Sequence, residues 1–172
     1  MKSVKYILVS VIMSLFLVGC MSPTIHKTAK EFRADTSTHS IDTYVVNRPY
    51  RDVVRTYKKM TPRCLNVTIE HHTTNVKYAD NGTYRYTSRV RSYKNRTEIV
   101  TQKFQLGLEE YAKRGEIPKN GIYVLMAEAE PVSSNKTKIT IRIRNWVYPP
   151  SEFIDAIKGW SSGEYIGCPS FE

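Results

Sequence analysis

Three kinds of pattern follow one another along the chain. A nearly continuous apolar run, Tyr6 to Val18, is interrupted only by Ser10 and Ser14 and is preceded by Lys2 and Lys5. From Met21 to about Ile41 the sequence turns polar, rich in Thr, Ser, Lys and His, and no apolar period is sustained. So little hydrophobic surface cannot offset the entropy of ordering a chain, and this stretch is expected to be a flexible tether. Beyond it, helical and strand periods alternate. Ile41 to Val46 is β-rich, and Asn47-Arg48-Pro49 supplies a cap candidate and a proline at the entrance of an expected helix. Tyr50, Val53, Val54, Tyr57 and Met60 then fall on one helical stripe, with Arg51, Asp52, Arg55, Lys58 and Lys59 on the opposite side. Pro62 is expected to stop this helix, leaving Cys64 just beyond it.

A long stretch rich in Val, Ile, Thr, Tyr and Arg comes next. Turn signals divide it at Asp80-Asn81-Gly82, Lys94-Asn95, Lys119-Asn120-Gly121 and Ser133 to Asn135, so it reads as antiparallel strands. Ile139, Ile141, Ile143 and Val147 alternate with Thr140, Arg142, Arg144 and Trp146, which predicts one buried and one wet face. Leu106 to Arg114 is a candidate short helix. After Pro149-Pro150-Ser151, a last helix places Phe153, Ala156, Ile157 and Trp160 on one side, and Gly163 to Cys168 forms a tail. The order β-α-β(4-5)-α predicts an α+β domain, residues 42–172, with two helices on one face of a curved antiparallel sheet. That order and the Asn47-Arg48-Pro49-Tyr50 helix start resemble the helix-grip fold of START-like domains and of the C-type accessory lipoprotein of the β-barrel assembly machine. Trp160, Gly163 and Cys168 resemble the Trp-x-x-Gly…Cys ending of many small lipoproteins.

The amino terminus changes the picture from fold to address. A positive start and an apolar run too short to cross ~30 Å of hydrocarbon, which takes roughly 20 residues, have the layout of a secretory signal. Leu17, Val18, Gly19 and Cys20 resemble the lipobox of bacterial lipoproteins. The resemblance implies cleavage of residues 1–19, a mature chain beginning at acylated Cys20, and a membrane attachment through that lipid. The alternatives are an ordinary signal peptide or an uncleaved anchor. Met21 stands where an aspartate would resemble an inner-membrane retention signal, which favours the outer membrane, facing the periplasm.

With Cys20 assigned to lipid, Cys64 and Cys168 remain in an oxidising compartment. An even remainder there predicts a disulfide, against the alternative of two buried free thiols. Neither cysteine lies in a Cys-x-x-Cys motif, which argues against a redox role.

Charge points to partners. The 26 Lys plus Arg less Lys2 and Lys5 leave 24 against 16 Asp plus Glu, a formal +8 for the mature chain. Such a surplus favours anionic envelope polymers, head groups or acidic protein faces, and nucleic acid is not expected as a partner in that compartment. Arg85, Arg89 and Arg91 share one strand face by period two, as do Arg142 and Arg144. Were those strands neighbours, they would form a basic patch, interleaved with Tyr93 and Trp146, able to grip an anionic partner. The bland reading is a solvated face whose charges discourage aggregation.

Catalytic chemistry has little to build on. No serine elbow, no cysteine with a partner histidine and no carboxylate pair in an apolar setting can be read from the linear order. Glu70-His71-His72 suggests a metal, but adjacent strand residues point to opposite faces and do not converge, so neither metal nor cofactor is expected. Tyr84, Tyr86, Tyr123 and Tyr148 are either core packing or the lining of an apolar-ligand cavity under the last helix. The function expected is therefore a non-enzymatic accessory module for an envelope protein or complex. A lipid carrier or sensor is the alternative, and an envelope hydrolase stands third.

Overall fold

The computed structural model describes residues 25–37, 39–71, 82–145, 147–164 and 167–171. Its elements run α1 (Ala29–Ala34), β1 (His39–Val46), α2 (Tyr50–Cys64), β2 (Val67–His71), β3 (Gly82–Tyr93), β4 (Arg96–Gln105), α3 (Glu109–Lys113), β5 (Ile122–Ser133), β6 (Lys136–Arg144) and α4 (Ser151–Ser162). The six strands form one antiparallel sheet in the order β1-β6-β5-β4-β3-β2. From β2 to β6 each strand pairs with the next in sequence, and β1 pairs with β6 at the far side.

Helices α2 and α4 lie on one face of the sheet, as the α+β reading expects. Val53, Tyr57 and Met60 of α2 and Phe153, Ile157 and Trp160 of α4 are buried against Tyr86, Ile99, Leu125, Ile139 and Ile141 of the strands. Large side chains fill the space beneath α4, where an apolar-ligand cavity would lie: Trp160, Tyr57, Tyr86 and Phe153 are all fully buried. The Tyr57 hydroxyl meets the Ser161 hydroxyl at 2.6 Å, which gives that buried polar tip a partner, and burial pushes its pKa up. Tyr84 and Tyr123 are also buried, whereas Tyr148 is exposed. Gly163, at φ 86, ends α4 in the left-handed conformation that a side chain disfavours.

Two helix expectations need correction. Pro62 does not stop α2, which continues to Cys64. A proline forfeits one backbone hydrogen bond, and only Arg63 and Cys64 follow it before the cap at Leu65, so the loss is confined to the last turn. Cys64 consequently sits inside the helix and bonds to Cys168, closing the carboxyl-terminal tail onto the end of α2. The helix between β4 and β5 is shorter than Leu106 to Arg114, spanning Glu109–Lys113 alone.

The larger correction concerns the tether. Residues 21–24 and 38 lie outside the described residues; of the rest, His26, Ala29, Phe32 and His39 are buried, and β1 begins at His39. Thr28 caps α1 in a reciprocal box: its hydroxyl accepts from the Glu31 N–H, and Glu31 accepts from the Thr28 N–H. Phe32, fully buried, drops into a second small core with Ala29, Val100, Tyr123 and Met126 on the sheet face opposite α2 and α4. Because both faces of the central strands are covered, residues 97–104 of β4 and 123–129 of β5 are buried without alternation. For the same reason β6 has no wet face beside α1, where Thr140 and Arg144 are buried.

Candidate functional site

The face that α1 covers collects the charged chemistry. Strand parity and register place Arg85, Arg89 and Arg91 of β3, Glu98 of β4, Glu128 of β5, and Arg142 and Arg144 of β6 on it together. The condition for a continuous basic patch nevertheless fails. Strands β3 and β6 are not neighbours, because β4 and β5 lie between them, and those two strands bring Glu98 and Glu128 directly opposite one another.

Each of the five arginines has its own surroundings. Arg91 lies 3.9 Å from Glu98, and Arg142 hydrogen-bonds Glu128. Arg144 is buried and donates to the Tyr123 carbonyl at 3.4 Å, with burial lowering its pKa against the pull of Asp35. Arg85 is exposed and stacks 5.0 Å over the Phe104 ring, and Arg89 is exposed. The basic patch of the sequence reading is thus largely neutralised at its centre and open only along β3.

Arg33, from α1, completes the centre. Its Nε donates to Glu128 at 2.8 Å, and its Nη2 donates to Glu98. Burial works against the guanidinium charge, yet the two carboxylates outweigh it and raise the Arg33 pKa. The Tyr93 hydroxyl donates to Glu98 at 3.0 Å, and Arg96 adds an ion pair to Glu128 at 3.4 Å. All four carboxylate oxygens therefore accept a hydrogen bond: from Tyr93 and Arg33 on Glu98, and from Arg33 and Arg142 on Glu128. Carboxylates so engaged form a clasp between α1 and the sheet. Sequence reasoning missed Glu98, Arg33 and Arg96.

A second cluster sits where the clasped segment turns into β1. His26 pairs with Asp35 at 2.9 Å, and the Phe32 ring packs 4.0 Å from His39, whose Nδ1 meets the Asp35 carbonyl. Both imidazoles are buried, and burial lowers the His39 pKa. Glu70 and His71 end β2, and His72 lies outside the described residues, as does Trp146. Among the described residues, no group of His, Cys, Asp and Glu is arranged to hold a metal ion.

The β1 edge is open. Its eight residues pair only with β6 among the described residues, in unbroken register. The strand contains no lysine, proline or bulge, and it exposes Ile41 (45%) and Val45 (53%). Edge strands ordinarily carry such guards because a free row of N–H and C=O groups templates pairing with another chain. Asp42 is the one acidic residue in β1, and it pairs with Lys158 of α4 at 2.9 Å, on the other face from Ile41 and Val45.

No protein-family model and no curated protein matches the sequence. Among solved structures, the chain is similar to an uncharacterized protein from Bacillus thuringiensis at 14% identity, over 73% of this chain and 91% of that one, with a TM-score of 0.32. A likeness at that level carries no argument about fold or function. Cys20 lies outside the described residues, and among those that are described no helix is long and apolar enough to cross a membrane.

Proposed function

We propose that this is a bacterial envelope lipoprotein, held to the outer membrane by acylated Cys20, whose periplasmic domain is a non-enzymatic accessory module that receives an extended segment of an envelope protein along β1. The observation that carries the docking reading is the unguarded eight-residue edge with two exposed β-branched side chains. Strand addition to such an edge draws affinity from main-chain hydrogen bonds and specificity from alternate side chains, here Ile41 and Val45. The signal-like amino terminus and the Leu17-Val18-Gly19-Cys20 motif support the address. The clasp supports a binding role over a hydrolytic one, since its carboxylates are saturated by guanidinium and phenol donors.

The test places a photo-crosslinking residue at Val45 in living cells, with Val132, exposed on the β5–β6 side of the sheet, as the control position. A single reproducible adduct at Val45, absent at Val132 and lost when Ile41→Lys is added, is expected. Adducts shared by both positions, or none at Val45, would remove β1 as the docking edge. Mass measurement of the mature amino terminus tests the anchor separately.

A further inference from the structure

The end of the sheet opposite the β3–β4 and β5–β6 hairpins carries a feature that partner docking at β1 does not use. Four of the eight exposed large apolar side chains among the described residues gather there: Ile25, Leu106, Tyr111 and Tyr148, between 40% and 64% exposed. Ile25 lines an apolar cleft of about 310 Å³ together with Phe104, Leu108, Ile117, Ile122 and Val147, and Leu106 and Tyr148 are chain neighbours of lining residues. Leu106 is fixed at its rim by a hydrogen bond from its N–H to the Thr83 carbonyl, and Tyr111 by one to Leu108.

Chain length ties this end to the lipid. Cys20 and Ile25 are five residues apart, and an extended chain spans at most roughly 3.3–3.6 Å per residue, so the acylated cysteine can lie no more than about 18 Å from the cleft. A leash that short keeps this end within reach of the head groups, roughly 5–8 Å deep on each leaflet. Tyrosine side chains favour the boundary between lipid and water, where the ring sits among glycerol groups and the hydroxyl stays wet. We infer that this end, built from Ile25, the 106–117 connection and Tyr148, is a seat on the phospholipid surface, with the bilayer itself as the occupant.

The seat works by apolar burial rather than by charge. Lys113 is paired with Glu110 at 2.6 Å and Arg114 with Glu116 at 2.8 Å, so the connection is close to neutral. Zwitterionic lipid is therefore sufficient, and added salt does not release the contact. The seat also orients the sheet with its hairpin end, including Tyr93 and Val132, pointing away from the membrane.

This inference rests on the proposed acylation of Cys20, and its test keeps the two apart. The full chain, matured in cells, is reconstituted into phosphatidylcholine vesicles with brominated acyl chains, as Tyr111→Trp and, for the distal end, Tyr93→Trp. After subtraction of the parent's emission, bromine is expected to quench the added indole of Tyr111→Trp at least about twofold and that of Tyr93→Trp hardly at all, unchanged in 0.5 M salt. Equal quenching at the two positions, or stronger quenching in Tyr93→Trp, overturns the seat. Amide exchange across 106–117 in the unsubstituted chain gives a second reading: slowing in vesicles relative to detergent-free buffer supports the seat, and equal rates overturn it. The mass of the amino terminus is taken on the same sample. Acyl chains present without quenching in Tyr111→Trp defeat the seat alone, and their absence defeats the anchor and the seat together.

Discussion

Replacing Cys64 and Cys168 together by alanine removes the bond that ties the tail to α2. Alanine is the appropriate substitute because Cys64 is buried and a serine hydroxyl there would add a desolvation cost. The two cysteines are 104 residues apart, so the cross-link encloses nearly all of the sheet and α4. In the chain-entropy account the unfolded ensemble gains 2.1 + 1.5R ln n cal/mol/K when such a loop opens, which for this separation is about 4.7 kcal/mol at 25 °C. At roughly 2–4 °C per kcal/mol for a domain of this size, the melting temperature should fall by about 10–20 °C. The folded state keeps its other restraints on the tail, since Trp160 Nε1 donates to the Gly167 carbonyl at 2.9 Å and the Phe171 ring packs 5.4 Å from Phe153. The loss should therefore register in the unfolded chain. Urea titration of the oxidised parent and the double variant is the assay, and the variant's m-value should rise as its unfolded chain expands and exposes more surface. A loss under about 1 kcal/mol, or an unchanged m-value, would refute the entropic reasoning.

Three further outcomes are expected. Gly121→Ala should destabilise the domain by about 3 kcal/mol or more in urea titration, because at φ 90 its Cβ would stand 2.0 Å from the Lys103 carbonyl oxygen, a backbone atom with nowhere to move. Phe32→Ala should detach α1 and leave the sheet folded: loss of a fully buried ring costs about 3–5 kcal/mol, more than a six-residue helix can absorb, so amides 29–34 should exchange rapidly while those of β4 and β5 stay protected. His39, facing His26, Asp35 and Arg144 with Phe32 packed on its ring, has its folded-state pKa held below 6.5 by burial, so the unfolded chain takes up the proton first. Its contribution is whole above about pH 6.5 and is lost as pH falls through the folded-state value, and His39→Gln should flatten the slope of melting temperature against pH between about 7.5 and 5.

The elements with strong local signals were readable from the residues alone. The α2 and α4 stripes, the turns near Lys94-Asn95 and Lys119-Asn120-Gly121, and the pairing of Cys64 with Cys168 each depend on short-range pattern or on arithmetic. Helix α1 was not, because its six residues contribute only Ala29 and Phe32 to a core built by strands more than 60 residues away. A signal did exist: Thr28-x-x-Glu31 has the spacing of a capping box, a start mark that survives in a polar stretch. The arginine–glutamate clasp was hidden for a different reason. Glu98 and Glu128 lie 30 positions apart, and only the β4–β5 register sets them face to face, while Arg33 arrives from a segment that composition assigns to a tether. Period two groups Arg85 with Arg89 and Arg91, and Arg142 with Arg144, but it tells neither which strands are adjacent nor that α1 covers the face Arg142 and Arg144 share.

Strand order also dictates a sequence of events. Strands β2 to β6 can zip up one after another as they become available, whereas β1 must wait for a partner whose residues, 136–144, lie about a hundred positions downstream. A polypeptide delivered amino end first thus holds its earliest strand, with Phe32 and Arg33 just ahead of it, unpaired through most of its delivery. During that interval the segment is available to a chaperone or a rival strand, and arrival of the final hairpin is what withdraws it.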